Sequence, residues 1–123
     1  MDLVNSTPDA VLLSIHQNSL PSFPSTHGAQ VFWNRQEGSE VLAKVLQDTL
    51  NLSVNVGNGK EAKQISPTIY LMKHVTAPAV LVECGFLSNQ AETALLKQPS
   101  YQRKLAMAIT AGLLRGLAGE EIS

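Results

Sequence analysis

The sequence predicts an α/β fold, with a mostly parallel sheet and helices packed on its faces. Short apolar runs alternate along the chain with segments of helical periodicity. These runs consist of small and β-branched residues without polar alternation, which is typical of strands buried on both faces. With 123 residues, the chain is long enough for one domain.

The composition excludes several classes of protein. The formal net charge is −1 and charged residues make up 15% of the chain, which argues against a nucleic-acid partner or a polybasic membrane anchor. No apolar stretch approaches the roughly 20 residues of a transmembrane helix, and no signal-peptide pattern follows Met1. The single cysteine, Cys84, excludes an internal disulfide and any structural zinc site with two or more thiolates.

The first half of the chain is predicted to contain a helix end, two strands and a longer helix. Residues 2–6 resemble the end of a helix, and the apolar runs at 10–15 and 29–33 are predicted strands. Ser39 is the predicted N-cap of a helix over residues 40–50. The predicted apolar face of this helix comprises Leu42, Val45, Leu46, Thr49 and Leu50.

Two further strands are predicted over residues 68–72 and 79–82. The second of them lies between Pro78 and Gly85 and ends at Glu83. In open α/β sheets, ligands bind just beyond the carboxyl ends of the strands. A carboxylate at such a position is costly to bury without a partner. Glu83 is therefore a candidate catalytic group.

Two helices are predicted to complete the chain. Asn89, with Glu92 three residues later, resembles a capping box at the start of a short helix that extends to residue 97. The last helix is predicted over residues 99–117, beginning at Pro99. Its predicted core face comprises Tyr101, Leu105, Ala108, Ile109, Gly112, Leu113 and Leu117.

His16 is the second candidate site residue. It follows the strand predicted at 10–15, as Glu83 follows the strand predicted at 79–82. If these strands are parallel and close in the sheet, both side chains point into one crevice. Imidazole is the commonest side-chain metal ligand, and a nearby carboxylate can take a proton from a metal-bound water. The alternative for a single histidine is a structural, hydrogen-bonded role.

Three segments of the chain carry a more specific pattern. They are SIHQN at residues 14–18, GAQVFW at 28–33 and PAVLVECGFLSN at 78–89. Together they resemble the catalytic domain of zinc-dependent N-acetylmuramoyl-L-alanine amidases, which cut the bond between muramic acid and the stem peptide of peptidoglycan. The resemblance covers nearly the whole chain. The form with Cys84 is most similar to versions from Firmicutes, including spore-cortex amidases.

The resemblance implies a reaction and roles for individual residues. It implies zinc as the cofactor, with His16 as a ligand. Glu83 would be the general base that activates the metal-bound water and later the acid that protonates the leaving amine. Asn18 is a further candidate for a hydrogen bond to the substrate. The implied substrate is peptidoglycan, and the implied location is the cell envelope or the spore cortex.

The chain departs from the family's pattern before His16. In the family, one zinc histidine lies in an earlier glycine-rich turn and a glutamate ligand follows on the next helix, and this sequence has neither. We therefore expect residues 1–123 to form one partial domain that begins inside the family's domain and is catalytically impaired by itself, since zinc takes three protein ligands. His27 is the substitute ligand to consider, and His74 is expected at the surface. An uncovered sheet edge is expected to favour self-association.

Two other classes of function stay open. In the first, Cys84 is the nucleophile of a hydrolase and His16 is its base. Adjacent strand residues face opposite sides, so Cys84 and Glu83 would not both face one cleft, and a buried cysteine usually acts as a small hydrophobic residue. In the second, the chain is a non-catalytic fragment or a peptidoglycan-binding module. Phe32 and Trp33 are expected to pack in the sheet rather than to bind sugars.

Overall fold

The computed structural model describes residues 2–66 and 74–119, in which a four-stranded mixed sheet packs against helices. The strands are β1 (Leu12–Asn18), β2 (Gln30–Trp33), β3 (Lys63–Gln64) and β4 (Ala79–Phe86). The helices are α1 (Asp2–Ser6), α2 (Ser39–Ser53), α3 (Gln90–Leu96) and α4 (Pro99–Leu117). The predicted α/β class is confirmed. The strand predicted over 68–72 lies outside the described residues.

The strand order across the sheet is β1-β4-β2-β3, which places β4 in the interior. β4 pairs parallel with β1 and antiparallel with β2, and β2 pairs parallel with β3. The first four residues of β4 are buried, as expected for a strand covered on both faces. β1 and β4 continue to Asn18 and Phe86, because their pairing extends past the last apolar residues. The prediction that His16 and Glu83 follow their strands is therefore wrong, since both lie within them.

One face of the sheet packs on α2 and α4 and forms the main core. Val31, Val82 and Leu46 are 0% exposed there, and Leu46 of α2 lies against α4 at Gly112. The opposite face carries a smaller apolar cluster made of Val75, Ala79 and Leu81, packed against Val4, Leu12, Phe32, Ile65 and Ala77. Trp33 packs against the main core, so the structure supports the expected packing role of Phe32 and Trp33.

Two details of the predicted helices differ from the structure. Helix α2 begins at Ser39 and has Gly38 as its N-cap residue, without a side-chain cap. Ser39 is fully buried, and its hydroxyl donates a hydrogen bond to Asn34 Oδ1 instead. The last helix has the predicted bounds, but Leu117 is 56% exposed because it lies past the contact of Gly116 with Leu42.

Among the described helices, we find none that combines the length and the apolar character needed to cross a bilayer.

Polar side chains of α2 and the following turn complete the hydrogen bonds of β2. Gln47 Oε1 accepts from the Val31 N–H at 2.8 Å, and Gln47 Nε2 donates to the Ala29 carbonyl at 3.0 Å. Asn55 accepts from the Ala29 N–H at 2.9 Å and donates to the Ala29 carbonyl at 2.8 Å. Buried backbone groups need such partners, because an unpaired one costs free energy.

We expect Gln47→Leu to lower the free energy of unfolding by about 1–3 kcal/mol. The leucine fills a similar volume but leaves the buried Val31 N–H without an acceptor, while Ala29 keeps its bonds to Asn55. Urea unfolding followed by circular dichroism measures the difference. Gln90→Leu, at an exposed residue, is the matched control, and equal effects of the two substitutions would contradict the assignment.

Candidate active site

His16 and Glu83 lie directly opposite each other on the neighbouring parallel strands β1 and β4. Gln30 of β2 lies opposite Glu83 on its other side. Paired residues of neighbouring strands project to the same face of a sheet, so the three side chains form a polar row across it. Since Val31 and Val82 face α2 and α4, this row lies on the opposite face of the sheet.

Glu83 has the electrostatic character of a proton-transfer group. Its Oε2 atom is buried and has no hydrogen-bond partner among the residues that the structure describes. Burial raises the pKa of the Glu83 carboxyl above its ordinary value, and the charge of His16 opposes part of this shift. A carboxyl whose pKa is shifted toward the working pH can accept and return a proton, as general acid–base catalysis requires.

His16 is exposed beside this carboxylate and is oriented from its own strand. Its Nε2 atom lies 2.7 Å from Ser14 Oγ. Ser14 is two residues earlier on β1 and therefore projects to the same face. The hydroxyl holds the ring at the edge of the polar row. Ser14 was not among the predicted site residues. The alternation of side chains along a strand, counted back two residues from His16, could have indicated Ser14.

Of the other candidate residues, Asn18 lies at the end of β1 and His27 lies in the loop between β1 and β2. Asn18 Oδ1 accepts a hydrogen bond from the Ser19 N–H at 2.7 Å, and the Asn18 carbonyl accepts from the Leu87 N–H at 2.7 Å. Asn18 therefore joins the ends of β1 and β4, and its role toward a substrate stays a prediction. His27 lies in an exposed loop, where its Nδ1 is 3.0 Å from the Ser25 carbonyl.

The described residues do not fit a catalytic zinc site. Such a site takes three protein ligands and leaves one position for water. Over residues 2–66 and 74–119, no three His, Cys, Asp or Glu side chains are grouped in a way that could hold a metal ion. His16 is the one ligand that the resemblance matches, and the buried Oε2 of Glu83 lies on the strand beside it.

The structure argues against Cys84 as a nucleophile. Cys84 is 7% exposed and belongs to the main core, on the face of β4 opposite to Glu83. Burial, together with the nearby charges of Glu83 and Glu92, raises the pKa of the Cys84 thiol to about 11. Since the thiolate is the nucleophile, a reactive cysteine needs a lowered pKa instead.

The predicted capping-box role of Glu92 is wrong in one respect. The Asn89 side chain accepts from the Glu92 N–H at 2.9 Å, which confirms the predicted cap of α3. The Glu92 carboxylate, however, does not return to the Asn89 N–H as in a capping box. It accepts hydrogen bonds from the Gly28 and Phe86 N–H groups, which no local pattern could indicate.

The raised pKa of Glu83 predicts a pH-dependent effect of Glu83→Gln on stability. We expect the variant to be more stable than the wild type at pH 7, because a neutral amide costs less to bury than a carboxylate whose Oε2 has no hydrogen-bond partner among the described residues. The wild type should lose stability relative to the variant as the pH rises from 4.5, the ordinary pKa, through the folded-state pKa. Urea unfolding at pH 4 and pH 7 measures this, and a difference independent of pH would contradict it.

Comparison with known proteins decides the family. A family model for N-acetylmuramoyl-L-alanine amidases matches residues 1–115. The chain belongs to this family. It is similar to the solved structure of the CwlD amidase from Clostridioides difficile in complex with the GerS lipoprotein, with a TM-score of 0.86 and 37% identity over 97% of this chain and 59% of that one. An amidase structure from Clostridium difficile 630 gives a TM-score of 0.85 and 28% identity over 96% of this chain and 63% of that one.

The relatives among characterised sequences extend beyond this chain. The germination-specific N-acetylmuramoyl-L-alanine amidase of Bacillus subtilis (strain 168) is 38% identical over 113 residues, which cover 92% of this chain and 47% of that protein. The amidase LytC of the same organism is 31% identical over 83% of this chain and 20% of that protein. The chain thus spans less than half the length of these two relatives.

Proposed function

We propose that this chain hydrolyses the amide bond between N-acetylmuramic acid and the L-alanine of the stem peptide in peptidoglycan. Its membership in the amidase family supports the choice of this bond. The observation that carries the assignment is the buried Oε2 of Glu83, which lacks a hydrogen-bond partner among residues 2–66 and 74–119 and belongs to the residue opposite His16 on the neighbouring strand. The names of relatives, one a germination-specific amidase and another a probable cell wall amidase, support a location at the cell wall or in the germinating spore.

Glu83 would carry out the proton transfers of this reaction. Water that attacks an amide carbonyl must lose a proton, and the leaving nitrogen must gain one before the bond breaks. Glu83 accepts the first proton and delivers it to the amine of L-alanine, so that the carboxylate returns to its starting form. The raised pKa of Glu83 favours both steps, because the carboxyl holds the proton long enough to deliver it.

Zinc is the cofactor that the resemblance implies, and His16 would be its ligand. Because the described residues provide no set of three ligands, we expect the chain by itself to bind zinc weakly and to hydrolyse peptidoglycan slowly. We therefore assign no step of the reaction to the metal. A chain that carries one tightly bound zinc ion after purification would show that the ligand set is larger than this.

Incubation with purified peptidoglycan and excess zinc tests the proposed function. The assay counts newly exposed amino groups over long incubations, so that slow turnover is detected. Release that a chelator stops and iodoacetamide leaves unchanged supports the proposal. Release that iodoacetamide stops and a chelator does not would favour Cys84 as the nucleophile. Co-sedimentation with peptidoglycan without release of amino groups would favour a binding module.

The free edge of β1 predicts self-association of the chain. Among the strands of the described residues, β1 lies at one end of the sheet, and its Ile15 is 56% exposed beside an apolar groove of about 260 Å³. Unpaired strand edges and exposed apolar surface favour pairing with another chain. We expect Ile15→Lys to shift the chain toward monomer in sedimentation velocity, whereas Val56→Lys, at a residue 78% exposed in a turn, should not. A wild type that is monomeric at all concentrations would contradict this.

A further inference from the structure

β4 contains one extra residue directly after Glu83. His16 and Asn18 of β1 are two positions apart, while their partners Glu83 and Phe86 on β4 are three positions apart. Cys84 and Gly85 together therefore oppose the single residue Gln17, which is the pattern of a β-bulge. Bulges bend a strand and change the direction of the neighbouring side chains, and they occur often beside active sites.

The carboxylate of Glu92 binds the backbone at this bulge. Glu92 is 5% exposed, and its Oε1 accepts from the Phe86 N–H at 2.6 Å. The two carboxylate oxygens also lie 2.8 and 3.0 Å from the nitrogen of Gly28, which donates to them. Hydrogen bonds to a carboxylate are among the stronger ones in proteins. Glu92 takes part in neither of the two ion pairs found among the described residues, which involve Glu40 and Asp48. Its carboxylate is instead bound by backbone N–H groups.

Gly85 provides the space that this contact needs. A Cβ atom at residue 85 would lie 2.7 Å from Cδ and Oε1 of Glu92, which is closer than such atoms approach each other in proteins. The absence of a side chain at Gly85 therefore lets the carboxylate lie directly against the strand. The backbone of β4 and the Glu92 carboxylate are therefore in close contact at Gly85, two residues after Glu83.

The same carboxylate also reaches the strand on the other side of Glu83. Gly28 precedes β2 and lies two residues before Gln30, which is the partner of Glu83 in the antiparallel pair. Glu92 thus joins the backbone after Glu83 on β4 to the backbone before Gln30 on β2. Helix α3 does not need this carboxylate for its own start, because Asn89 already caps it.

We propose that Glu92 is a positioning residue for Glu83. By holding the N–H groups of Phe86 and Gly28, it fixes the bulge and with it the direction in which the Glu83 side chain leaves β4. Glu92 acts through the backbone and is not placed against the substrate. This inference rests on the proposed function, in which the orientation of Glu83 matters for proton transfer.

Nuclear magnetic resonance of the isotope-labelled chain tests this proposal. In the wild type, we expect scalar couplings across the hydrogen bonds from the amide nitrogens of Gly28 and Phe86 to Cδ of Glu92. In Glu92→Gln, an NH2 group replaces one of the accepting oxygens and would face the Gly28 N–H, from which it cannot accept a hydrogen bond. With this contact weakened, amide exchange at Gly28 and Phe86 should become about 10- to 100-fold faster. The Glu83 side-chain Cγ resonance should shift, while the resonances of the core residue Leu46 should not.

Two further variants make the outcome decisive. Glu40→Gln removes a carboxylate from the first turn of α2, where the side chain is exposed, and should change neither the exchange nor the Glu83 resonance. Gly85→Ala keeps the Glu92 carboxylate but displaces it, and should shift the same Glu83 resonance even if Glu92→Gln fails to fold.

Three results separate the possible failures. Missing couplings in the wild type would overturn the proposal. A Glu83 resonance that stays in place in Glu92→Gln and Gly85→Ala, while exchange at Phe86 accelerates, would also overturn it and leave Glu92 with a structural role alone. Retained amidase turnover in Glu83→Gln would instead overturn the proposed function. The couplings, the amide exchange and the Glu83 resonance are measured without turnover, so the two failures can be told apart.

Discussion

Glu83→Gln is expected to lower the rate of amide hydrolysis in peptidoglycan by about 10²- to 10⁴-fold, the usual contribution of a general acid–base residue. Glutamine has nearly the same shape as glutamate, so the loss reports the missing proton acceptor rather than altered packing. The side chain lies in a polar row with His16 and Gln30, and its buried Oε2 has no hydrogen-bond partner within the described part of the chain. The measurement is the rate of release of new N-terminal alanine in excess zinc.

Glu37→Gln is the matched control for this experiment. Glu37 is exposed in the turn before α2, beyond the end of β2 that pairs with Val80 rather than with Glu83. Its replacement removes the same charge from the chain without changing the site, so the rate should stay that of the wild type. A Glu83→Gln variant that hydrolyses peptidoglycan as fast as the Glu37→Gln variant would contradict the assignment of Glu83.

Leu46→Ala is expected to lower the free energy of unfolding by about 2–5 kcal/mol, which is a large fraction of the stability of a small domain. Leu46 is fully buried between the sheet and α4. A Cβ atom built at Gly112 would lie 3.1 Å from Leu46 Cα, so the two helices are already in close contact. They can therefore move little further to fill the cavity that the alanine leaves.

Leu52→Ala provides the matched comparison on the same helix. Leu52 lies in α2 and is 73% exposed, so its truncation removes little buried area. We expect Leu52→Ala to change the free energy of unfolding by no more than about 0.5 kcal/mol. Urea unfolding of both variants measures the difference, and similar destabilisation by the two substitutions would show that Leu46 is not central to the core.

Elements with a strong local pattern could be predicted from the sequence. The bounds of α4 follow from Pro99 and the helical spacing of apolar residues, and the cap of α3 follows from Asn89. These features depend on residues within one or two turns of each other. Strand β3 could not be predicted, because Lys63 and Gln64 are exposed and their partner in the described part of the sheet is the distant β2.

The candidate site could be predicted in its residue types but not in its geometry. His16 and Glu83 were identified from apolar runs that end in a polar residue. Their exact pairing depends on the register of two strands more than 60 residues apart, which local patterns do not encode. The same holds for Ser39, whose hydroxyl binds Asn34 rather than capping α2. It also holds for Glu92, which binds the Phe86 N–H at the end of β4 and the Gly28 N–H before β2.

Mass spectrometry of the muropeptides released by the chain in excess zinc tests the central claim most directly. If Glu83 serves an amidase site, the products are stem peptides with a free L-alanine amino group and glycans whose muramic acid carries a free lactyl carboxylate. These products should be lost in Glu83→Gln. Cleavage between sugars, or the same products at the same rate from Glu83→Gln, would contradict the claim.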